Sequence, residues 1–421
     1  MATSSIPQLQ PNPKSASQRR IMLFDMSVGG HHPAYIQHLI RYWGENDLPG
    51  HMDVVVVPKF LEQHQDVVEL SQNYQNIKFV PISTQEVDYL GPWTTYIKRK
   101  SRALREWTLL SRYATSLGST ECLLMYYDTF QMSTVLRRKL PCPFSGIYFR
   151  PRFHYGDFPQ CPLTWKDQVR NWQERLHISL ALRHPQFKTL LSLDQFAVKY
   201  LQEFHSRAKI VHLPDPVQTY PKIESKVDEL KASLGIEPHR RVFLLFGVLD
   251  SRKGIYPLLE AISQLPPDIC QKLCLLLVGP IDSQEKSRIQ VKIARLSALL
   301  PIQIVAYDKF ILDTEIQSFF DLSDVVLAPY QRHVGTSSIL IRAAVAQKPA
   351  LSTNYGLMGK WMENYKLGIS VDSTVPTEIA KGLTKFVLES PEKFFEPSLA
   401  KSFVEQNSAE KYASTIFNNI G

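Results

Sequence analysis

From Arg19 onward the chain alternates short, nearly continuous apolar runs with longer segments whose apolar positions recur three or four residues apart. The runs RIMLFDM, MDVVVVP, IKFVPI, CLLMYYD, FSGIYFRP, FKTLLSL and KIVHLP have the length and continuity of strands buried on both faces. PAYIQHLIRYW and a long polar stretch at 164–183 carry helical spacing instead. This rhythm predicts a parallel sheet covered by helices. Residues 214–240 hold four prolines and many charges and read as an interdomain connection. The rhythm then restarts with RVFLLFGVL, LCLLLVGP, IQIVAYD, DVVLAPY and PALSTNY as strands, with helices between them. The expected class is α/β: two doubly wound, Rossmann-like domains facing across a cleft, with ligands at the carboxyl ends of the strands. The expected organisation is a polar leader at 1–18, an N-terminal domain at 19–213, the connection at 214–240 and a second domain at 241–400. A C-terminal helix at 401–421 is expected to pack back on the first domain.

Composition narrows the picture. The length of 421 residues suits two cores, and 44% hydrophobic with 21% charged residues is globular. No apolar run approaches the ~20 residues of a membrane span. Residues 1–18 are rich in Ser, Pro and Gln and lack the apolar stretch of a secretory signal, so a disordered leader is expected. Five scattered cysteines are expected to be reduced, buried thiols of a cytoplasmic protein. Residues 1–210 hold 25 Lys and Arg against 17 Asp and Glu, and the remainder holds 23 of each, so the whole net charge of +8 lies in the first half. That asymmetry points to an acidic partner or surface for this half.

Two stretches carry candidate chemistry. In FGVLDSRKG, residues 246–254, a strand runs through a glycine turn into Arg252 and Lys253 just before a helix. Backbone amides and two cations at a strand's carboxyl end suit a diphosphate; the other reading is a surface turn with solvated charges. In HVGTSSILIRAAVAQKP, residues 333–349, Gly335, Thr336, Ser337 and Ser338 open a helix whose first amides lack internal partners. An anion at those amides and plain side-chain capping are both open readings.

Taken in order, FGVLDSRKGIYPLLEAI, LLLVGP, AYDKFILDTEIQSFFDLSDVVLAPY, the glycine-led helix and AQKPALST resemble the C-terminal half of the retaining GT-B glycosyltransferases of the large family 4 (group 1). Gly247, Leu249, Lys253 and Gly254 match that family's Gly-x-Leu-x-x-x-Lys-Gly, and Gly279, Pro329 and Lys348-Pro349 match its later elements. The resemblance covers roughly 240–415 and aligns Glu363 with a family glutamate. In the first half, SVGGHHPAYIQHL resembles the family's first glycine loop, which lies against donor and acceptor, and CLLMYYD and FSGIYFRPRFHY resemble its fourth and fifth strands. The family's paired glutamates fall on Val334 and Arg342, neither of them acidic. Arg342, one turn after Ser338, reaches either a phosphate at the helix start or a nearby acid such as Glu363.

The resemblance implies transfer of a sugar from a nucleotide-diphosphate sugar to a glycan, lipid-linked or small-molecule acceptor, with retention and without a metal. The nucleotide-sugar is then a substrate and no cofactor is expected. It assigns His154, Arg252 and Lys253 to catalysis. Donor binding falls to Gly247, Gly279, Gly335, Thr336, Ser337, Ser338 and Arg342. Acceptor binding falls to Gly29, Gly30, His31, His32, Asp128 and Arg150, with Arg152 an alternative at the end of the fifth strand. A histidine metal site is not expected, because His31 and His32 are adjacent and cannot share a helical face. The missing acids motivate the alternative of a non-catalytic GT-B scaffold subunit.

A last feature concerns surfaces. In WTTYIKRKSRALREWTLLSRY, residues 93–113, Lys98, Arg102, Arg105 and Arg112 form one basic stripe, with Trp93, Ile97, Leu104 and Trp107 on another face. The stripe suits an anionic membrane, hence a peripheral protein of the inner face, or an acidic acceptor, or simply a solvated helix face. No nucleic-acid module accompanies it.

Overall fold

The computed structural model describes residues 19–91, 96–158, 161, 163–219 and 224–420. The leader at 1–18 lies outside them, as do Trp93 and the side chains of Ile97 and Lys98. The strands are β1 (Arg20–Asp25), β2 (His51–Val56), β3 (Ile77–Pro81), β4 (Glu121–Leu124), β5 (Phe144–Tyr148), β6 (Phe187–Ser192) and β7 (Lys209–His212). They continue with β8 (Arg241–Phe246), β9 (Leu273–Val278), β10 (Gln303–Tyr307), β11 (Val325–Ala328), β12 (Ala350–Thr353) and β13 (Gly368–Val371). Each lies on an apolar run of the sequence, and the two sheets are the α/β class that the pattern predicts.

The first sheet has the order β3-β2-β1-β4-β5-β6-β7 and the second β10-β9-β8-β11-β12-β13. All pairings are parallel. Strands such as LCLLLV in β9 are buried throughout because helices cover both faces. The second core gathers Phe243, Leu275, Leu277, Leu327 and Leu351 from the sheet with Leu258, Leu259 and Phe386 from helices. In each sheet the strand order reverses direction once, between β1 and β4 and between β8 and β11. At such a switch point the following loops part to opposite faces and leave room for a ligand.

The chain divides into two units that are not contiguous in sequence. One comprises 1–151, 169–213 and 412–421, the other 152–168 and 214–411. Residues 152–168, expected in the first domain, therefore belong to the second unit. The described residues of the connection at 214–240 make regular contacts. They include the helix Glu224–Ser233, and the Val217 amide donates to the carbonyl of Asn407 at 3.1 Å. The C-terminal segment is two helices, Pro397–Gln406 and Ala409–Phe417, rather than one. Residues from Tyr412 onward join the first unit: Phe417 packs edge-on against Trp43 at 5.2 Å, and Thr189 Oγ1 donates to the Asn419 carbonyl at 2.7 Å.

Candidate functional site

In the second unit the site assembles at the carboxyl ends of β8 and β11. After β8 the chain passes Gly247 and reaches Asp250, whose carboxylate accepts the Lys253 amide at 2.9 Å and caps the short turn Ser251–Lys253. Gly254 follows at φ +78°, and a Cβ there would lie 2.0 Å from the Pro329 carbonyl oxygen, so only glycine lets the two loops meet. Gly279 closes against the same turn, since its Cβ would sit 2.4 Å from the Gly247 oxygen.

These contacts set Lys253 inward, only 5% exposed. Its ammonium donates to the Phe246 carbonyl at 2.7 Å and to the Tyr330 phenol oxygen at 2.6 Å. Ser337 Oγ donates to the same phenol oxygen at 3.1 Å. Burial by itself raises the Tyr330 phenol, but the charge and hydrogen bond of Lys253, the Ser337 bond and the charge of Arg252 outweigh it and hold Tyr330 below its usual range. Arg252 is more open: its guanidinium carbon lies 5.5 Å from the Tyr330 ring centroid and its Nε 3.6 Å from Asp250. The arrangement is a buried ammonium and a half-exposed guanidinium around one phenol, a cationic lining suited to an anion with several oxygens.

The helix of the second stretch begins at Ser338 and runs to Val345, because Ser337 is still extended at φ −145°, ψ 115°. Ser337 makes no side-chain cap; its hydroxyl is turned to Tyr330. Gly335, expected to offer its amide to an anion, is engaged instead: its N–H donates to Tyr155 Oη at 2.9 Å. Thr336 accepts His333 Nε2 at its carbonyl, at 3.2 Å. Arg342 is buried on the helix, 8% exposed, while Glu363 pairs with Lys360 at 2.7 Å on the surface. His154 is 1% exposed, set among the rings of Phe153, Tyr155 and Phe158. The segment FHYGDF thus folds its aromatic rings inward around His154.

In the first unit the loop after β1 carries the second group. Asp25 accepts the Ser27 amide at 3.0 Å, and its other oxygen lies 2.6 Å from His32 Nδ1. His32 opens the helix His32–Glu45. His31 stacks on His32 and on Phe149, each with centroids 4.5 Å apart. Burial, then the neighbouring charges of His32 and Arg150, push the His31 imidazole down to about 3. Gly29 and Gly30 are exposed with open space around them, so the backbone there is approachable. Asp128 is a clamp rather than an open carboxylate: its oxygens accept the amides of Phe149 at 2.9 Å and Arg150 at 3.0 Å, tying the end of β4 to β5. Burial raises its acid to about 6. The Arg150 side chain is exposed.

The described members of the basic stripe, Arg102, Arg105 and Arg112, each engage a partner of their own. Arg102 turns inward, 9% exposed, and donates to Glu106 at 2.8 Å and to the Gly91 carbonyl at 2.5 Å. Arg105 donates to the Tyr89 carbonyl at 2.7 Å, and Arg112 pairs with Glu86. The reason is an acid four residues on: Glu106 makes Arg102 half of a buried pair. Burial nevertheless raises Glu106 to about 7, against the pull of Arg102. Glu106, Asp25, Ser27 and Tyr126 line a cavity of about 20 Å³, room for roughly one water.

Sequence reasoning missed Tyr330, Tyr155, Asp25 and Glu106. Asp25 and His32, seven apart across a glycine loop, were visible as a strand-end acid and a helix-start base. Tyr155 was not, and Tyr330 only in part, because Gly335 and Lys253 lie 180 and 77 positions from them. All five cysteines are free and buried, as expected. No group of three or more potential metal ligands occurs among the described residues. No described helix is long and apolar enough to cross a membrane.

Residues 226–407 match the family model described as Glycosyl transferases group 1. No curated protein matches the chain in sequence. Among solved structures, Anabaena HepE in complex with UDP and glucose is similar at 15% identity and a TM-score of 0.66, over 95% of this chain and 98% of that one. Sucrose-phosphate synthase from Thermosynechococcus elongatus is similar at 16% identity and a TM-score of 0.68, with the same coverage of 95% and 98%. The N-terminal domain of Candida albicans trehalose-6-phosphate phosphatase reaches a TM-score of 0.69 at 11% identity, covering 99% of this chain and 98% of that one.

Proposed function

We propose, from the match of residues 226–407 to the group 1 glycosyltransferase model and from the GT-B fold shared with the solved neighbours, that the chain transfers a sugar, with retention and without a metal, from a nucleotide-diphosphate sugar to a glycan, lipid-linked or small-molecule acceptor. One observation carries the donor side: the Lys253–Tyr330–Ser337 cluster with Arg252 beside it, at the switch point of the second sheet. HepE, which shares the fold, is described with UDP bound, and a uridine diphosphate is the first donor nucleotide to test.

As the bond to the sugar breaks, negative charge gathers on the leaving diphosphate. An ammonium has three N–H donors, and Phe246 and Tyr330 take two of those of Lys253. The third is assigned to a diphosphate oxygen, with Arg252 supplying charge from the more open side. Preorganised donors of this kind are worth on the order of 3 kcal/mol each in oxyanion sites. They do the work a divalent cation would otherwise do. Thr336, Ser338 and Arg342 remain assigned to the donor, with Arg342 in place of an acid that would accept from ribose hydroxyls. The open loop at Gly29 and Gly30, with His31, His32 and Arg150, is assigned to the acceptor.

Calorimetry with UDP, GDP and ADP, each with and without EDTA, tests the reading. At least one nucleotide is expected to bind equally in both conditions, and Lys253→Ala is expected to lose about two orders of magnitude in transfer rate. No binding by the wild type, or full turnover by Lys253→Ala, overturns it. Binding with neither transfer nor hydrolysis of any donor would favour the scaffold alternative raised by Val334 and Arg342.

A further inference from the structure

The helix Trp165–Ala181 presents an apolar stripe to solvent. Val169, Trp172, Leu176 and Leu180 are 48, 64, 43 and 37% exposed, and Trp165 on the first turn is 70% exposed. Their spacing of three and four residues puts them on one line along the helix. The opposite face is the buried one, carrying Asn171, Ile178 and Ala181. The helix thus has one packed face and one apolar face turned outward. Over fifteen residues of rise the outward line is about 22 Å long. Scattered surface hydrophobics are ordinary, but an aligned row with two tryptophans marks a binding face.

Charge decides what covers it. The acids of this helix are drawn inward: Asp167 accepts the Thr164 amide at 3.0 Å and its hydroxyl at 2.6 Å, and Glu174 accepts the Tyr148 phenol. The exposed charges flanking the stripe are cationic. Lys166 lies over the Trp165 ring at 5.6 Å, Arg170 is exposed, and Arg175 lies over the Phe204 ring at 5.8 Å and 3.8 Å from the exposed Glu203. Arg183 and Lys188, just beyond the helix, are exposed as well. The net charge of the chain lies in this same half. Tryptophan and leucine along one line with arginine and lysine on its flanks is the pattern of a helix lying in the headgroup layer of an anionic bilayer.

We propose that the Trp165–Ala181 helix docks the protein on an anionic lipid surface, with Trp172 and Leu176 at the centre of the contact and Arg170 and Arg175 on the headgroups. This face does not depend on the transfer reaction. It replaces the broken stripe at Arg102, Arg105 and Arg112 as the membrane-facing element.

The test is sedimentation of the full chain with vesicles of phosphatidylcholine alone, and with about a third of the lipid replaced by phosphatidylglycerol. The wild type is expected to pellet with the anionic vesicles, more weakly as salt rises, with a blue shift of tryptophan emission. Trp172→Glu and the pair Arg170→Glu with Arg175→Glu are each expected to weaken partition roughly tenfold or more. All these side chains are exposed, so circular dichroism and the melting temperature should match the wild type. Absence of pelleting by the wild type overturns the proposal, as does pelleting that Trp172→Glu leaves unchanged. A self-association that Trp172→Glu abolishes, without vesicle binding, overturns it in favour of a second copy on the same face.

Discussion

Tyr330 is the residue on which the donor site turns, because its oxygen takes hydrogen bonds from both Lys253 and Ser337. Removing that oxygen frees the ammonium from its aim, and hydrogen bonds to charged groups are worth about 1.5–3 kcal/mol. Tyr330→Phe should therefore weaken nucleotide-diphosphate binding by roughly tenfold or more, read by calorimetry, with the fold retained. The phenol is held below its usual range, so it ionises earlier than a free tyrosine as pH rises. The phenolate then cancels the Lys253 charge that an anion needs. Wild-type affinity should fall with rising alkaline pH, and Tyr330→Phe should flatten that fall; parallel profiles would remove Tyr330 from the site. Glu106 supplies a second pH test. Its acid, raised to about 7 by burial from a usual value of 4.5, binds a proton more tightly folded than unfolded. That contribution is complete below about 4.5 and is lost as pH rises through about 7. Glu106→Gln should remove a stability decline on the order of 3 kcal/mol across that window, measured by urea unfolding at several pH values. A slope unchanged by the substitution would assign the decline elsewhere.

At the scale of elements, what was legible in the sequence depended on whether its partner was local. The strands were readable because burial on both faces writes itself as a continuous apolar run, as in RVFLLF and LCLLLV. Lys253 and Gly254 were readable because strand, turn and helix follow one another directly. Tyr155 and Gly335, 180 positions apart, had no such trace. Arg102 was misjudged as surface although its partner Glu106 stood one turn away. The outward row on Trp165–Ala181 was missed because this stretch reads as polar overall. The 152–168 segment shows the consequence of a distant partner most directly. Tyr155 occupies the Gly335 amide, and its ring fills the space that a Cβ on Gly356 would enter at 2.3 Å. Tyr155→Phe leaves that buried N–H without its acceptor, a cost of about 1–3 kcal/mol. The loss should appear as a lower urea midpoint at constant slope. An unchanged midpoint would make the bond incidental.

At the scale of the whole molecule, the two units have separate sheets yet exchange chain. The second borrows 152–168 from the middle of the first, and the first takes back 412–421 after the second is complete. The borrowed piece bonds to Gly335 within the second unit, and the returned piece packs Phe417 on Trp43 within the first. Each core is thus finished by a segment that arrives late or from elsewhere in sequence, but the sheets themselves share no strand. Two calorimetric transitions are expected, because each sheet buries its own hydrophobic residues and a single two-state event is not required of a chain this long. The proposed donor site draws only on the second unit. A nucleotide that binds there at about a hundred times its dissociation constant adds roughly 2.7 kcal/mol to that unit alone. For a unit of this size the gain corresponds to about 5–10 °C in one transition. The other transition should stay in place, and so should the effect of Phe417→Ala, which removes packing from the first unit only. Equal upward shifts of both transitions by the nucleotide would show that the exchanged segments weld the two cores into one cooperative body.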